Sequence, residues 1–410
     1  MRTHRWLIPA LSVTLMTSYG SLYYAMAVLA RPIQAELGWS GDITLGAYSL
    51  ALLIAGLCAY SIGKIIDQNG GRLLMTSGSA IAGVFLLALS QVHSVYAFYA
   101  LWAGLGVAMA MTQYEAAFSV VVATYPHAYR NRISLLTLAG GLSSTTFWPI
   151  TYALVEGIGW RGTTAALGAF TLAVCAPLHW YAVPKVVHAD VRATGVTPEL
   201  PTQLTSSLRK TLSMPTFWLV AFAFAAFGFV NNATAMHSIP LLESRGISAV
   251  TAVSIAASIG PMQVASRFAD LLFNGRLPAL TLGAITVVLI PLGLAMLLPS
   301  AGTMLLPYMF VIIYGAGLGL ITIARATSPP EFFGVQRYGA INGLLSAPAT
   351  IARALGPVVS AAVLTASHNY TLVLVVLIAV GAAGAACYWS AALLQRQRVK
   401  VGALHAASNR

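Results

Sequence analysis

Long apolar blocks, separated by short polar stretches, recur along the whole chain. An α-helix rises 1.5 Å per residue, so about 20 apolar residues are enough to cross a bilayer. Twelve blocks reach that length and predict twelve transmembrane helices. Their approximate limits are 6–30, 43–66, 73–91, 96–124, 132–156, 163–182, 215–242, 248–270, 277–298, 303–328, 337–364 and 370–394. The first block is too long for the apolar region of a signal peptide, so we interpret it as a helix.

One polar stretch, residues 183–214, is much longer than the others and separates the blocks into two groups of six. It contains six charged residues and three prolines, and it is too short for a soluble domain. We therefore predict an N-terminal six-helix bundle over 1–182, a cytoplasmic linker over 183–214 and a C-terminal six-helix bundle over 215–410. The predicted fold class is an all-α membrane protein with two pseudo-symmetric bundles.

Composition supports this prediction. Hydrophobic residues make up 58% of the chain and charged residues only 8%, against about 25% charged in soluble domains. Such a chain is not a soluble enzyme, a disordered protein or a nucleic-acid module. No Walker loop, HExxH motif or nucleophile elbow is present, and the three cysteines have no metal-ligand spacing. We expect no enzymatic activity, no cofactor and no metal site.

Basic residues predict the orientation, since cytoplasmic loops are enriched in Lys and Arg. With the N-terminus in the cytoplasm, sixteen of the 22 basic residues fall on cytoplasmic loops and helix ends, and three fall outside. The prediction is a multi-pass protein of the cell (inner) membrane with both termini cytoplasmic. Its partners are the lipid bilayer and a small-molecule substrate, and no nucleic acid is expected.

The two halves resemble each other at an offset of 203 positions. Four pairs of residues match at this offset: Lys64 with Arg267, Asp67 with Asp270, Gly140 with Gly343 and Ser143 with Ser346. Parallel six-helix repeats are an architecture of secondary transporters, which bind their substrate at the interface between the repeats.

The loop after the second span carries the pattern G-x-x-x-D-x-x-G-x-R, formed by Gly63, Asp67, Gly70 and Arg72. With twelve spans and a central cytoplasmic loop, this pattern resembles the major facilitator superfamily. The resemblance implies alternating access, a monomer and a gating motif that steadies the outward-open state from the cytoplasmic side. Asp270 belongs to the second, partial copy of that motif.

Within the superfamily, the chain resembles bacterial relatives of the monocarboxylate and oxalate/formate transporters. The similarity lies in the first span and its loop, from Tyr19 to Ser40, and in span eight, where Arg267 follows Gln263 by four residues. Monocarboxylate carriers have an Asp and an Arg at this spacing, so Gln263 replaces their Asp. The resemblance implies transport of organic anions, with Gln263 and Arg267 near the substrate.

Arg353 lies in the middle of span eleven, and ionisable residues inside a membrane indicate function by default. Its planar guanidinium suits a carboxylate, and the oxalate/formate carriers also place a basic residue in this span. The alternative is a structural arginine bonded to carbonyls freed near Pro348 or Pro357. Arg267 is the second candidate for anion binding, and its alternative role is in the gating loop.

Glu115 is the one acidic residue predicted to lie within the hydrocarbon, in span four. A carboxyl group there can take up and release a proton during transport. Three alternatives remain open. Glu115 can neutralise an arginine of the other half when the cavity is empty, it can bind a cationic substrate, or it can serve as a hydrogen-bond partner between helices.

Uncharged polar and aromatic residues form a second group of candidates. Asn231, Asn232 and His237 fall in span seven, where Gly228 and Pro240 permit a break. Tyr19 and Tyr23 are four residues apart and share one face of span one, and Trp148 precedes a proline in span five. Each can contact the substrate or simply pack between helices.

The sequence therefore predicts a secondary active transporter of a small organic anion, a carboxylate above all, working by symport with protons or by antiport of anions. One alternative is efflux of drugs or cations bound by Glu115. The other is transport of a larger aromatic or vitamin-like solute that stacks on Tyr19, Tyr23 and Trp148.

Overall fold

A computed structural model describes residues 5–185, 210–273, 277–298 and 304–408. In these ranges the chain forms helices joined by short connections, and none of them contains a β-strand. Most of the predicted linker, residues 186–209, lies outside the described residues.

We number the helices in chain order. Those of the first half are α1 (Leu7–Leu37), α2 (Gly41–Asn69), α3 (Arg72–Leu89), α4 (Val95–Thr124), α5 (129–158) and α6 (160–182). Those of the second half are α7 (Pro215–Glu243), α8 (Ala249–Leu272), α9 (Ala279–Ala295), α10 (Leu305–Phe333), α11 (Tyr338–Ser367) and α12 (Tyr370–Ser408).

The prediction of twelve spans is confirmed by these helices. Among the described residues, ten continuous helical stretches are long and apolar enough to cross a membrane. One of them, Tyr129–Ala182, contains both α5 and α6, which are divided at Gly159. This glycine has φ 69° and ψ 171°, a conformation that interrupts the helix and that other residues rarely adopt. The ninth span, α9, is shorter than the others at 17 residues.

Three predicted helices differ from expectation in detail. The fourth span was expected to be continuous, but Gln113 is extended (φ −88°, ψ −164°) and divides α4 into Val95–Thr112 and Tyr114–Thr124. The first span contains a π-helical segment, Tyr19–Tyr24. Span seven, in contrast, is one unbroken helix despite Gly228 and Pro240.

The helices group into two compact units. One consists of α1–α6 together with Val335–Ala347, the beginning of α11, and the other of α7–α10, the rest of α11 and α12. Helices in a membrane gain little from the hydrophobic effect and associate where small residues permit close packing. In the first unit, a Cβ on Gly83 of α3 would lie 2.9 Å from the carbonyl oxygen of Gly168 in α6, so neither position has room for a larger residue.

A network of polar contacts joins three helices at one end of the first unit. The Nε of Arg161 donates to Oε1 of Glu36 at 2.7 Å, and the indole N–H of Trp160 donates to Oε2 of the same carboxylate at 2.6 Å. The other guanidinium nitrogens of Arg161 donate to the main-chain carbonyls of Ser90 and Val92. Arg161 therefore joins the start of α6 to the ends of α1 and α3.

Large aromatic residues fill the second unit. The most deeply buried include Phe224, Phe310, Tyr314 and Tyr388, all under 3% exposed. The hydroxyl of Tyr388 is 2.6 Å from the hydroxyl of Ser328, so this buried polar group has a partner.

Candidate functional site

Arg353 lies at the centre of α11, fifteen residues after Tyr338 and fourteen before Ser367. Its side chain is half-buried on the face of α11 that packs against α7. A Cβ on Gly228 of α7 would lie 2.7 Å from the carbonyl oxygen of Ala349 and 3.6 Å from Cγ of Arg353. Glycine at 228 thus makes room for the arginine stem.

The guanidinium of Arg353 makes no hydrogen bond and no ion pair with any residue that the structure describes. The alternative role, an arginine bonded to carbonyls freed by Pro348 or Pro357, therefore finds no support in these contacts. A half-buried guanidinium offers five N–H donors, and here they remain available to an anion.

Asn232 contacts the main chain of Arg353. The amide nitrogen Nδ2 of Asn232 donates to the carbonyl oxygen of Arg353 at 2.8 Å. Its neighbour Asn231 is exposed on α7. The two asparagines, which the sequence could not tell apart, therefore occupy different environments.

His237 lies one to two turns further along α7 and is half-buried. Its ring meets Tyr370 of α12 edge to face, with the centroids 6.3 Å apart. The buried Nε2 of His237 has no hydrogen-bond partner among the described residues.

The three candidates on α8 divide by burial. Arg267 is only 6% exposed and is bound to α10, since its Nε donates to the carbonyl of Gly319 and its Nη2 to the hydroxyl of Thr322, each at 3.2 Å. Asp270 is also buried and partnered. Gln263, one turn before Arg267, is half-buried, and its side-chain amide has no hydrogen bond to a described residue.

In the first unit, Tyr19 and Tyr23 belong to a cluster of aromatic rings. Their centroids are 6.0 Å apart, and those of Tyr19 and Tyr114 are 4.8 Å apart. The π-helical turn also brings in Tyr24, whose ring lies 5.0 Å from Tyr23. Three members of this cluster were not predicted from the sequence, namely Tyr24, Tyr48 and Tyr114.

Trp148 joins the same cluster from α5. Its ring meets Tyr24 edge to face at 5.8 Å, and its indole N–H donates to the carbonyl oxygen of Tyr24 at 3.1 Å. This carbonyl is available because the N–H groups of Val28 and Leu29 both donate to Ala25 where the π-helical segment ends. Trp148 remains 46% exposed.

Glu115 occupies the first turn of the helix segment Tyr114–Thr124, directly after the break at Gln113. Its carboxylate is half-buried and forms no hydrogen bond or ion pair with a described residue. The N-terminal end of a helix carries partial positive charge, so an acidic side chain is better accommodated in this turn than in the middle of a continuous helix. The break thus explains how the membrane accommodates an acidic residue here, a feature that the continuous helix predicted from sequence did not contain.

The predicted gating motif forms contacts within the first unit. Asp67 accepts hydrogen bonds from the main-chain N–H groups of Gly339 (3.0 Å) and Ala340 (2.8 Å) at the start of α11. Those N–H groups have no partner inside the helix, so the carboxylate satisfies them and opposes their partial charge. A Cβ on Gly63 would collide with the carbonyl of Gly339, which explains the glycine one turn before Asp67.

The rest of the motif shapes the turn after α2. Gly70 has φ 80° and ψ 165°, a conformation accessible almost only to glycine. Arg72 begins α3, and its Nε donates at 2.6 Å to the carbonyl of Val183, just after α6. Arg72 therefore joins α3 to the end of α6.

These apolar helices, with ionisable side chains at mid-helix, define a membrane transport protein. The chain belongs to the major facilitator superfamily, whose family model matches residues 11–357. It is a multi-pass membrane transporter with the two-domain, twelve-helix fold of that family.

Known relatives agree with this assignment. The chain is 25% identical over 253 residues to the oxalate:formate antiporter of Oxalobacter formigenes, a match that covers 60% of this chain and 57% of that protein. Among solved structures, a variant of the E. coli fucose:proton symporter FucP has a TM-score of 0.68 at 12% identity, covering 94% of this chain and 99% of FucP. The human organic anion transporter MFSD10 (TETRAN) has a TM-score of 0.67 at 13% identity, covering 96% and 100%.

Proposed function

We propose that the protein is a secondary active transporter of a small organic anion, a carboxylate, which moves by alternating access with Arg353 as its principal contact. The observation that carries the proposal is the half-buried guanidinium of Arg353, which has no partner among the described residues. A charge at mid-helix is costly, and a transported carboxylate would supply the missing counter-charge.

The chemistry of the guanidinium favours a carboxylate. Its fork of N–H donors matches two carboxylate oxygens, and such charge-assisted pairs are stronger than hydrogen bonds between neutral groups. A relative that is named as an oxalate:formate antiporter supports the same substrate class. We assign Arg267 a secondary role as a fixed positive charge, because its Nε and Nη2 already bind α10.

Two coupling mechanisms make different use of Glu115. Exchange of one anion for another requires no protonatable group in the protein, and the name of the relative favours this antiport. Symport with protons would use Glu115, whose carboxylate has no partner among the described residues. Replacement of Glu115 by Gln should abolish uptake driven by a proton gradient and leave exchange intact.

We further propose that the gating motif acts from the cytoplasmic side of the inner membrane, with both termini in the cytoplasm and the protein working as a monomer. The contacts of Asp67 with Gly339 and Ala340 support this role, because they join the C-terminal end of α2 to the start of α11.

The proposal can be tested by ligand-induced thermal stabilisation of the purified protein. Oxalate, formate, acetate and lactate would be compared for the wild type and for Arg353→Gln, Arg353→Lys and Glu115→Gln. We expect at least one anion to stabilise the wild type and Glu115→Gln but not Arg353→Gln, with Arg353→Lys in between. Stabilisation that survives in Arg353→Gln would overturn the assignment.

A second candidate function is transport of a cationic or aromatic solute. The cluster of Tyr19, Tyr23, Tyr24, Tyr48, Tyr114 and Trp148 favours it, since aromatic faces bind cations and stack on rings. Glu115, adjacent to Tyr114, would supply the negative charge. Binding of tetraphenylphosphonium that is lost in Glu115→Gln and retained in Arg353→Gln would identify this function instead.

A further inference from the structure

We propose that Asn232 is a positioning residue for Arg353: its side-chain amide replaces the helical hydrogen bond that Pro357 removes, and so fixes α11 where the guanidinium projects. The inference deepens the proposed function, since it depends on Arg353 as the anion contact. It gives Asn232 a role other than touching the solute.

A proline inside α11 interrupts its pattern of main-chain hydrogen bonds. In an α-helix the carbonyl of residue i accepts from the N–H of residue i+4. The residue four positions after Arg353 is Pro357, which has no N–H. The carbonyl of Arg353 therefore loses its usual donor, and a donor from a neighbouring helix can replace it.

Asn232 supplies the missing donor from the neighbouring helix. Its Nδ2 lies 2.8 Å from the carbonyl oxygen of Arg353, the distance of a normal N–H···O bond. An asparagine between membrane helices is usually explained by such a bond, because an unpaired amide in hydrocarbon is costly. The contact accounts for the polar residue at 232 without requiring a solute.

Glycines on both sides of this bond bring the two main chains close together. A Cβ on Gly228 would lie 2.7 Å from the carbonyl oxygen of Ala349, and a Cβ on Gly356 would collide with the carbonyl of Phe229. Along α11, the hydrogen bond from the Asn232 side chain to the Arg353 carbonyl thus lies between two close approaches of α7 and α11. Three contacts along one helix face fix the rotation of α11 and with it the direction of the Arg353 side chain.

The rotation of α11 about its axis sets the direction in which Arg353 projects, because successive residues are about 100° apart around the helix. A small rotation of α11 therefore moves the end of this long side chain by about an ångström or more. Displacements of that size are sufficient to weaken a bidentate interaction. We therefore expect loss of the Asn232 bond to weaken anion affinity while the charge of Arg353 remains.

The test is epistasis between Asn232 and Pro357. Asn232→Leu removes the donor, and Phe222→Leu, at an exposed apolar position of the same helix, is the control. In proteoliposomes, Asn232→Leu should raise the KM for oxalate, or for whichever anion stabilises the wild type, about three- to tenfold. Phe222→Leu should change it less than twofold.

Pro357→Ala restores the helical donor to the carbonyl of Arg353. In that background Asn232→Leu should have less than half of its effect on KM, because the bond it removes is no longer needed. An undiminished effect would show that the amide acts on the solute itself, and the inference would be wrong.

A second measurement does not depend on transport. With the three native cysteines replaced by Ser, Arg353→Cys would be labelled by a charged methanethiosulfonate reagent. We expect Asn232→Leu to change the labelling rate at least threefold and Phe222→Leu to leave it unchanged. If Arg353→Gln still binds anions, the proposed function fails while this rate change remains; if the rate does not change, the positioning role fails on its own.

Discussion

In each unit the first and fifth helices are joined by a hydrogen bond from a side-chain N–H of one helix to a main-chain carbonyl of the other. The two helix pairs nevertheless differ in their chemistry. In the first unit the indole of Trp148 on α5 donates to the carbonyl of Tyr24 on α1. In the second the amide of Asn232 on α7 donates to the free carbonyl of Arg353 on α11. The carbonyl lies at the end of a π-helical segment in one case and four residues before a proline in the other.

The two pairs differ most in charge. At the repeat offset of 203 residues, Ile150 of α5 corresponds to Arg353 of α11. At this position the α1/α5 pair therefore presents an isoleucine beside aromatic rings, whereas the α7/α11 pair presents a guanidinium. The repeat preserves the architecture, and under the proposed function chemical specificity arises where the repeat is broken.

Arg353→Ile makes α11 resemble α5 at this position, and it should have the largest effect. Loss of two charge-assisted hydrogen bonds of about 1.5 kcal/mol each predicts a loss in anion affinity of roughly a hundredfold or more. The substitution also removes a charge that has no counter-charge among the described residues, so the melting temperature should not fall. Uptake and thermal unfolding measure the two effects, and Ile150→Leu is the control. Unchanged uptake would mean that the charge difference has no role in transport.

Asp67→Asn tests the carboxylate that is bound to the first turn of α11. Hydrogen bonds to a charged group contribute about 1.5–3 kcal/mol, so the conformation containing this contact should lose stability. We expect the maximal transport rate to fall about tenfold with less than a twofold change in KM. The control is Asp42→Asn, an exposed acid in the first turn of the same helix. A lowered affinity at unchanged rate would contradict a gating role.

The sequence was sufficient to predict the twelve spans, because the length of an apolar block depends only on bilayer thickness and helix rise. It was not sufficient to predict the break at Gln113, since Met111-Thr112-Gln113-Tyr114 contains neither Pro nor Gly. The π-helical turn at Tyr19–Tyr24 has no proline to announce it either, so the position of Tyr24 beside Tyr23 was missed.

The candidate site was predictable in its charges and less so in its contacts. Arg353 and Glu115 stand out because ionisable residues are rare in hydrocarbon. The bond between Asn232 and Arg353 joins positions 121 residues apart, which local patterns cannot reveal. One signal was available, however: a proline four residues after Arg353 implies a carbonyl that needs a donor from elsewhere.

Gly356→Ala tests whether the close contact of their main chains holds α7 and α11 together. An added Cβ would meet the carbonyl of Phe229, and main-chain atoms yield less readily than the end of a side chain. Overpacking of this kind typically costs about 1–3 kcal/mol, so the melting temperature should fall by several degrees. Gly157→Ala on α5, where nothing lies within 4 Å, should be neutral or slightly stabilising. Equal effects of the two substitutions would show that α7 and α11 do not depend on this approach.

Trp148→Phe should have the smallest effect and separates the two interpretations of the aromatic cluster. Phenylalanine keeps a ring beside Tyr24 but cannot donate to its carbonyl, so about 1 kcal/mol of stability should be lost. If the cluster only packs helices, anion KM changes less than twofold, in contrast to the three- to tenfold change expected for Asn232→Leu. If solutes stack on it, KM rises for aromatic carboxylates such as benzoate and not for oxalate. A large rise for oxalate itself would mean that both helix pairs bind the anion, and the asymmetry between the units would no longer explain specificity.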